Sequence, residues 1–64
     1  MALWRVWIGS PRWGMWAWKS YLVKAKDRTE AIREAYTLIT GTRKAPSPSW
    51  VAWKVREVEY ISDD

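Results

Sequence analysis

The 64-residue chain contains no cysteine and no histidine. It therefore has no zinc finger, no thiolate nucleophile and no Cys-His or Ser-His catalytic arrangement. A metal ion would depend on scattered carboxylates alone, and no metal site is predicted. The glycines stand singly at Gly9, Gly14 and Gly41, which excludes a glycine-rich phosphate loop.

Targeting signals and long apolar runs are also missing. Arg5 interrupts the first apolar stretch, so neither a signal peptide nor a membrane span is predicted. We expect a cytoplasmic protein, in the host cytoplasm if the chain is viral, without a membrane partner. A chain of this length forms one domain, residues 1–64, with little interior in which to build a pocket. We therefore expect no enzyme, no cofactor and no small-molecule substrate.

Tryptophan and positive charge are what the chain has in excess. It carries seven Trp and three Tyr but no Phe. Each buried Trp returns about 4–6 kcal/mol, so a small core without disulfides needs some of them simply to fold. The net charge is +4, and it lies in residues 1–28, where six cations face the single acid Asp27. This imbalance favours an anionic partner.

Alternating apolar residues predict three strands, and a helical pattern predicts one helix before the third strand. The turn residues Gly9, Ser10 and Pro11 separate the first two strands. The predicted elements are strands over residues 3–8, 15–26 and 50–61, a helix over 28–40 and a loop over 42–49.

The helix has the clearest signals at its two ends. Asp27 followed by Glu30 matches an N-terminal capping box, and Gly41 predicts the C-terminal stop. Between them, apolar residues recur at helical spacing and predict a face buried against a sheet. The residues of that face are Ala31, Ile32, Ala35, Leu38 and Ile39.

The third strand changes parity along its length. Apolar residues from Val51 to Val55 keep one face, whereas Val58 and Tyr60 keep the other, which predicts a β-bulge near residues 56–57. The order β-β-α-β with a right-handed crossover predicts an antiparallel sheet of order 2-1-3. With the helix on one face, the fold class is α+β, a two-layer sandwich. Nothing in the predicted structure covers the other face.

Three segments resemble the LX group of small archaeal and eukaryotic large-subunit ribosomal proteins. They are the helix run Ala31–Ile39, the strand Trp53–Ile61 and the Val-x-Ala segment Val23–Ala25 that leads into the helix. The resemblance implies a β-β-α-β unit and an RNA partner. The chain departs from the group in its loop, where Thr42–Lys44 runs into a Pro-Ser-Pro segment without histidine, and in its tryptophan content. Small phage proteins have a similar strand-helix pattern.

If the helix covers Tyr21, Val23 and Ala25, the opposite sheet face combines tryptophans with cations. Bases stack on indole rings while Lys and Arg neutralise phosphates. We therefore predict a non-catalytic binding module that contacts RNA or single-stranded nucleic acid through this face and the loops beside it. The candidate residues are Arg5, Trp7, Arg12, Trp16, Trp18, Lys24, Lys26, Arg43, Lys44, Lys54 and Arg56.

Other interpretations use the same tryptophans. A small phage or accessory protein could bind and inhibit or remodel a host protein through this face, because Trp and Arg are enriched at interface hot spots. A second copy could close the face in a homodimer. Cross-strand Trp pairs could also stabilise the sheet without any ligand. Strand parity places Trp4 and Trp53 beneath the helix, with Trp50 a further candidate for that position.

Overall fold

A computed structural model of the chain describes residues 1–10 and 17–63. The sheet is antiparallel with the strand order β2-β1-β3, which confirms the predicted α+β class and topology. The predictions for Arg12 and Trp16 fall outside the described residues. The elements in chain order are β1 (Ala2–Ser10), β2 (Ala17–Ala25), α1 (Arg28–Thr40), α2 (Pro48–Lys54) and β3 (Val55–Asp63).

Helix α1 has the predicted bounds and both predicted caps. The Asp27 carboxylate accepts a hydrogen bond of 2.8 Å from the backbone N–H of Glu30. The Glu30 carboxylate in turn accepts one of 3.1 Å from the backbone N–H of Lys26. Lys26 therefore belongs to the helix cap, and its predicted place on the sheet is wrong. At the other end, Gly41 has a φ of 74° and its N–H donates to the Thr37 carbonyl, an arrangement that glycine adopts without strain.

The core lies between α1 and one face of the sheet, and alanine forms its centre. Ala25 on β2 and Ala31 and Ala35 on α1 have no exposed surface. Their small side chains let the helix backbone lie close to the strands. Val6 and Ile8 of β1 are buried with them.

Larger side chains form the margin of this core. The partly buried residues packed against it are Trp4, Tyr21, Ile39, Trp50, Val55 and Val58. The Trp4 indole N–H also donates to the Ala25 carbonyl at 3.0 Å. Leu38 does not join the core and is 63% exposed. The prediction that Leu38 is buried is therefore wrong. Leu38 lies about 200° around α1 from Tyr36, so the two residues are on opposite flanks of the buried face of the helix.

A second short helix replaces the end of the predicted loop and the start of the predicted third strand. The Ser47 hydroxyl accepts a hydrogen bond from the Trp50 N–H at 3.2 Å, and Pro48 occupies the first turn. This Ser-Pro pair is a helix start signal, so the strand predicted from residue 50 begins instead at Val55. The change turns Trp53 outward, where it is 70% exposed rather than beneath the helix.

Trp50 holds α2 on the same side of the sheet as α1. Its ring meets the Tyr36 ring of α1 edge to face at a centroid distance of 4.7 Å, and it packs against the core. Both described helices therefore cover one face of the sheet.

The two outer strands differ in regularity. β1 and β2 pair without a register shift from Ala2 to Ser10, two residues beyond the predicted end of the first strand. The pairing of β1 with β3 shifts twice. One shift leaves Arg56 as the extra residue, which confirms the bulge predicted from parity, and the other leaves Ile61.

We predict that Ala35→Leu destabilises the fold by about 1–3 kcal/mol, because the added side chain has no space between α1 and the sheet. Chemical denaturation followed by circular dichroism measures the change. Leu38→Ala is the matched control on the same helix and should change the free energy of unfolding by less than about 0.5 kcal/mol. Equal effects of the two substitutions would contradict the close packing of α1.

Candidate functional site

The sheet face opposite the helices, called the open face below, is formed by alternate residues of the three strands. Val6 and Ile8 point to the core, so their β1 neighbours point the other way. Cross-strand partners of those neighbours share their face. No helix in residues 1–10 and 17–63 covers it. The open face comprises Leu3, Arg5, Trp7, Gly9, Trp18, Ser20, Leu22, Lys24, Glu57, Glu59 and Ser62, with the side chain of Arg56 reaching onto it.

Trp18, Gly9 and Arg56 form a stack that connects all three strands. Gly9 lies directly opposite Trp18 in the β1–β2 register, and a Cβ atom at Gly9 would overlap the six-membered part of the Trp18 indole. The Trp18 ring therefore lies across the Gly9 backbone. The Arg56 guanidinium carbon is 5.0 Å from the centre of the same indole, within the range of a cation–π contact. The bulge and the missing side chain at Gly9 let Arg56 reach this position from β3.

Trp7 lies beside this stack at the centre of the open face. Trp7 and Gly9 are two residues apart on β1, and Gly9 is opposite Trp18 on β2. Trp7 and Trp18 are therefore diagonal neighbours on adjacent strands, about 7–8 Å apart at the backbone. Trp7 is half-buried. The predicted placement of Trp7, Trp18 and Lys24 on one face therefore agrees with the pairing register.

Two carboxylates on β3 also lie on the open face, and sequence reasoning did not place them there. Glu59 is opposite Arg5 and Glu57 is opposite Trp7. The Arg5 guanidinium is 3.7 Å from the Glu59 carboxylate. Such an exposed pair contributes about 0–1 kcal/mol to stability, and the carboxylate offsets part of the positive charge that Arg5 presents to a ligand. The parity change at the predicted bulge is the sequence signal that places Glu57 and Glu59 on this face.

Several predicted cations lie elsewhere. Lys54 ends α2, on the covered side of the sheet, because the segment expected to be a strand is helical. Arg43 and Lys44 follow α1, and the Arg33 guanidinium donates to the Arg43 carbonyl at 3.1 Å, which holds this loop beside the helix layer. The open face thus keeps three of the predicted cations, Arg5, Lys24 and Arg56.

The described residues outside the open face contain little that suggests chemistry. No group of three or more metal-ligating side chains occurs among them, and none of their helices is long and apolar enough to cross a membrane. Near the end of β3, a hydrogen bond to Asp63 raises the pKa of the Tyr60 phenol, because the carboxylate stabilises the protonated hydroxyl. Tyr60 contacts Trp4 edge to face at 5.5 Å, on the covered face.

No protein family, curated protein or solved structure matches the chain. The resemblance to LX ribosomal proteins therefore stays a prediction.

We predict that Gly9→Ala displaces the Trp18 ring from β1 and separates it from Arg56. The lost cation–π contact costs about 0.5–1 kcal/mol, and the lower entropy of the unfolded alanine chain offsets a similar amount. The free energy of unfolding should therefore change by less than about 1 kcal/mol, while near-ultraviolet circular dichroism from tryptophan changes clearly.

Gly41→Ala is the control for this substitution. A Cβ atom there meets no neighbour, but the backbone is left-handed, so the variant should lose about 1 kcal/mol of stability with an unchanged tryptophan spectrum. A Gly9→Ala spectrum identical to that of the parent would contradict the stack.

Proposed function

We propose that the protein is a non-catalytic module that binds single-stranded nucleic acid, RNA or DNA, on the β1–β2 half of the open face. One base stacks on Trp7 and another on the Arg56 guanidinium that lies over Trp18, and Arg5, Lys24 and the edge of the Arg56 guanidinium contact phosphates. The proposal includes the cytoplasmic location predicted from the sequence. The observation that carries it is the stack of Arg56 on Trp18, which brings a cation from β3 onto an aromatic platform on β2.

The distribution of charge supports this half of the face as the binding path. Trp18, Ser20, Leu22 and Lys24 of β2 include no acid, and the Arg56 head group adds a positive charge beside them. The open-face acids are both on β3. A strand of nucleic acid that follows β2 and β1 has these carboxylates on one flank only, whereas one that follows β3 lies directly over them.

The positions of Trp7 and of the Arg56–Trp18 pair support stacking on successive bases. Aromatic side chains on adjacent strands of an open sheet are the platform that sheet-based RNA-binding modules use for two or three bases. The guanidinium plane of Arg56 can itself stack with a base, since arginine and aromatic planes both serve this purpose. A ligand therefore does not need to expel Arg56 from Trp18.

One observation favours a protein partner instead. On the β3 side of the face, the Glu57 carboxylate lies beside the Arg5–Glu59 ion pair, so charges of both signs are close together, and Leu22 of β2 is 56% exposed. Mixed charges around apolar side chains are typical of protein interfaces. In that case the chain acts as the host-protein inhibitor or remodelling factor considered from the sequence, and oligonucleotides do not bind.

We predict that Trp7→Ala weakens the binding of short oligouridylate or oligothymidylate by roughly tenfold, because one base loses its stacking platform. Fluorescence anisotropy of a labelled oligonucleotide measures the affinity. Trp53→Ala is the matched control, since this exposed tryptophan is on α2 behind the sheet, and it should leave the affinity unchanged. The separate RNA and DNA titrations show which of the two chemistries the face prefers.

The salt dependence provides a second measure in the same titrations. Three phosphate contacts on a single strand predict a slope of about −2 for the logarithm of the affinity against the logarithm of the salt concentration. Binding that is absent at low salt, or that is lost equally in Trp7→Ala and Trp53→Ala, would contradict the proposal and favour a protein partner.

A further inference from the structure

The two outer edges of the sheet differ in their ability to accept another strand. β3 has two bulges, at Arg56 and Ile61, and bulges twist an edge away from regular pairing. β2 pairs with β1 over nine residues without a shift. No strand in the described part of the chain pairs with its outer edge. A regular edge of this length is a template for strand addition.

Two exposed leucines lie beside the β2 edge, one on each face of the sheet. Leu22 is 56% exposed and projects from β2 onto the open face. Leu38, 63% exposed, is on the flank of α1 opposite Tyr36. Because Tyr36 contacts Trp50 of α2, and α2 packs over β1 and β3, the Leu38 flank faces the β2 side. An added strand would place alternate side chains against each leucine.

The charge of β2 indicates what such a strand would carry. β2 contains Lys19 and Lys24 and no acid, and Lys26 follows directly. Two β2 edges from different copies would bring these lysines together, which opposes pairing. An acidic segment would instead place carboxylates beside them, as opposite charges favour in cross-strand pairs.

We propose that the outer edge of β2 binds an extended acidic segment of another protein as a fourth strand. Main-chain hydrogen bonds supply the pairing. Apolar and acidic residues alternate along each face of the added strand, so that apolar side chains contact Leu22 on one face and Leu38 on the other. The site differs from the proposed nucleic-acid surface in using the backbone edge of β2 rather than Trp7 and the Arg56–Trp18 pair, although Lys24 borders both.

The test uses a capped synthetic peptide of Glu-Glu-Val-Val repeats, which place glutamate and valine on each face of an extended strand, with the ¹⁵N-labelled full chain. Amide resonances of β2, residues 17–25, should shift on titration, and their hydrogen exchange should slow. The matched control peptide has proline at two adjacent central positions, which removes an N–H donor from each of its edges. It should not bind, and neither should a lysine-valine peptide.

Leu38→Ser should weaken the glutamate-valine peptide by roughly fivefold or more, because the exposed leucine becomes buried only when the strand is added. Trp53→Ser is the control, as an equally exposed apolar residue on α2, and should bind as the parent does. Spectra of both variants without peptide verify that they are folded.

Three results would overturn the proposal. They are no shift in β2, equal binding of the proline peptide, and a dimer of the chain alone, detected by sedimentation, in which the β2 amides are already protected from exchange. Each is independent of the oligonucleotide titrations, in which Leu38→Ser should behave as the parent chain does.

Discussion

The close approach of α1 to one sheet face determines where every other described element can lie. Ala25, Ala31 and Ala35 permit this approach, but three alanines bury little apolar area. Additional apolar area is buried at the margin of the core, where Trp4 and Trp50 pack against it. These tryptophans are therefore part of the fold. Because both described helices are on this side, neither of them covers the tryptophans of the opposite face.

On that opposite face, Gly9 is the residue on which the arrangement depends. Its missing side chain lets the Trp18 ring cross β1, and the bulge at Arg56 lets a cation from the far strand reach the same ring. The result is a charge distribution divided along the sheet, with aromatic and positive groups over β1 and β2 and carboxylates on β3. This division, rather than the net charge of +4, is what supports a path for a single strand of nucleic acid.

Local signals predicted most of the architecture. Three short-range signals have a direct structural interpretation, and the structure confirms each of them. They are the helix caps at Asp27 and Gly41 and the parity change near Arg56. The segment from Trp50 to Trp53 was mistaken for a strand because its residue types favour strands, while its helical state comes from the Ser47 cap and from tertiary contact with Tyr36. The contact between Tyr36 and Trp50 joins residues far apart in the sequence, so local patterns do not reveal it. Lys54 was placed on the open face because this helical segment was predicted to be a strand.

The most direct test of the central claim is a two-dimensional NMR spectrum of the tryptophan indole N–H groups, recorded as oligouridylate is added to the ¹⁵N-labelled chain. The account predicts that the indole signals of Trp7 and Trp18 shift together, while those of Trp4, held by the Ala25 carbonyl, and of Trp50 and Trp53 on the covered side stay in place. Shifts of Trp53 with Trp7 and Trp18 unchanged would contradict a binding surface on the open face.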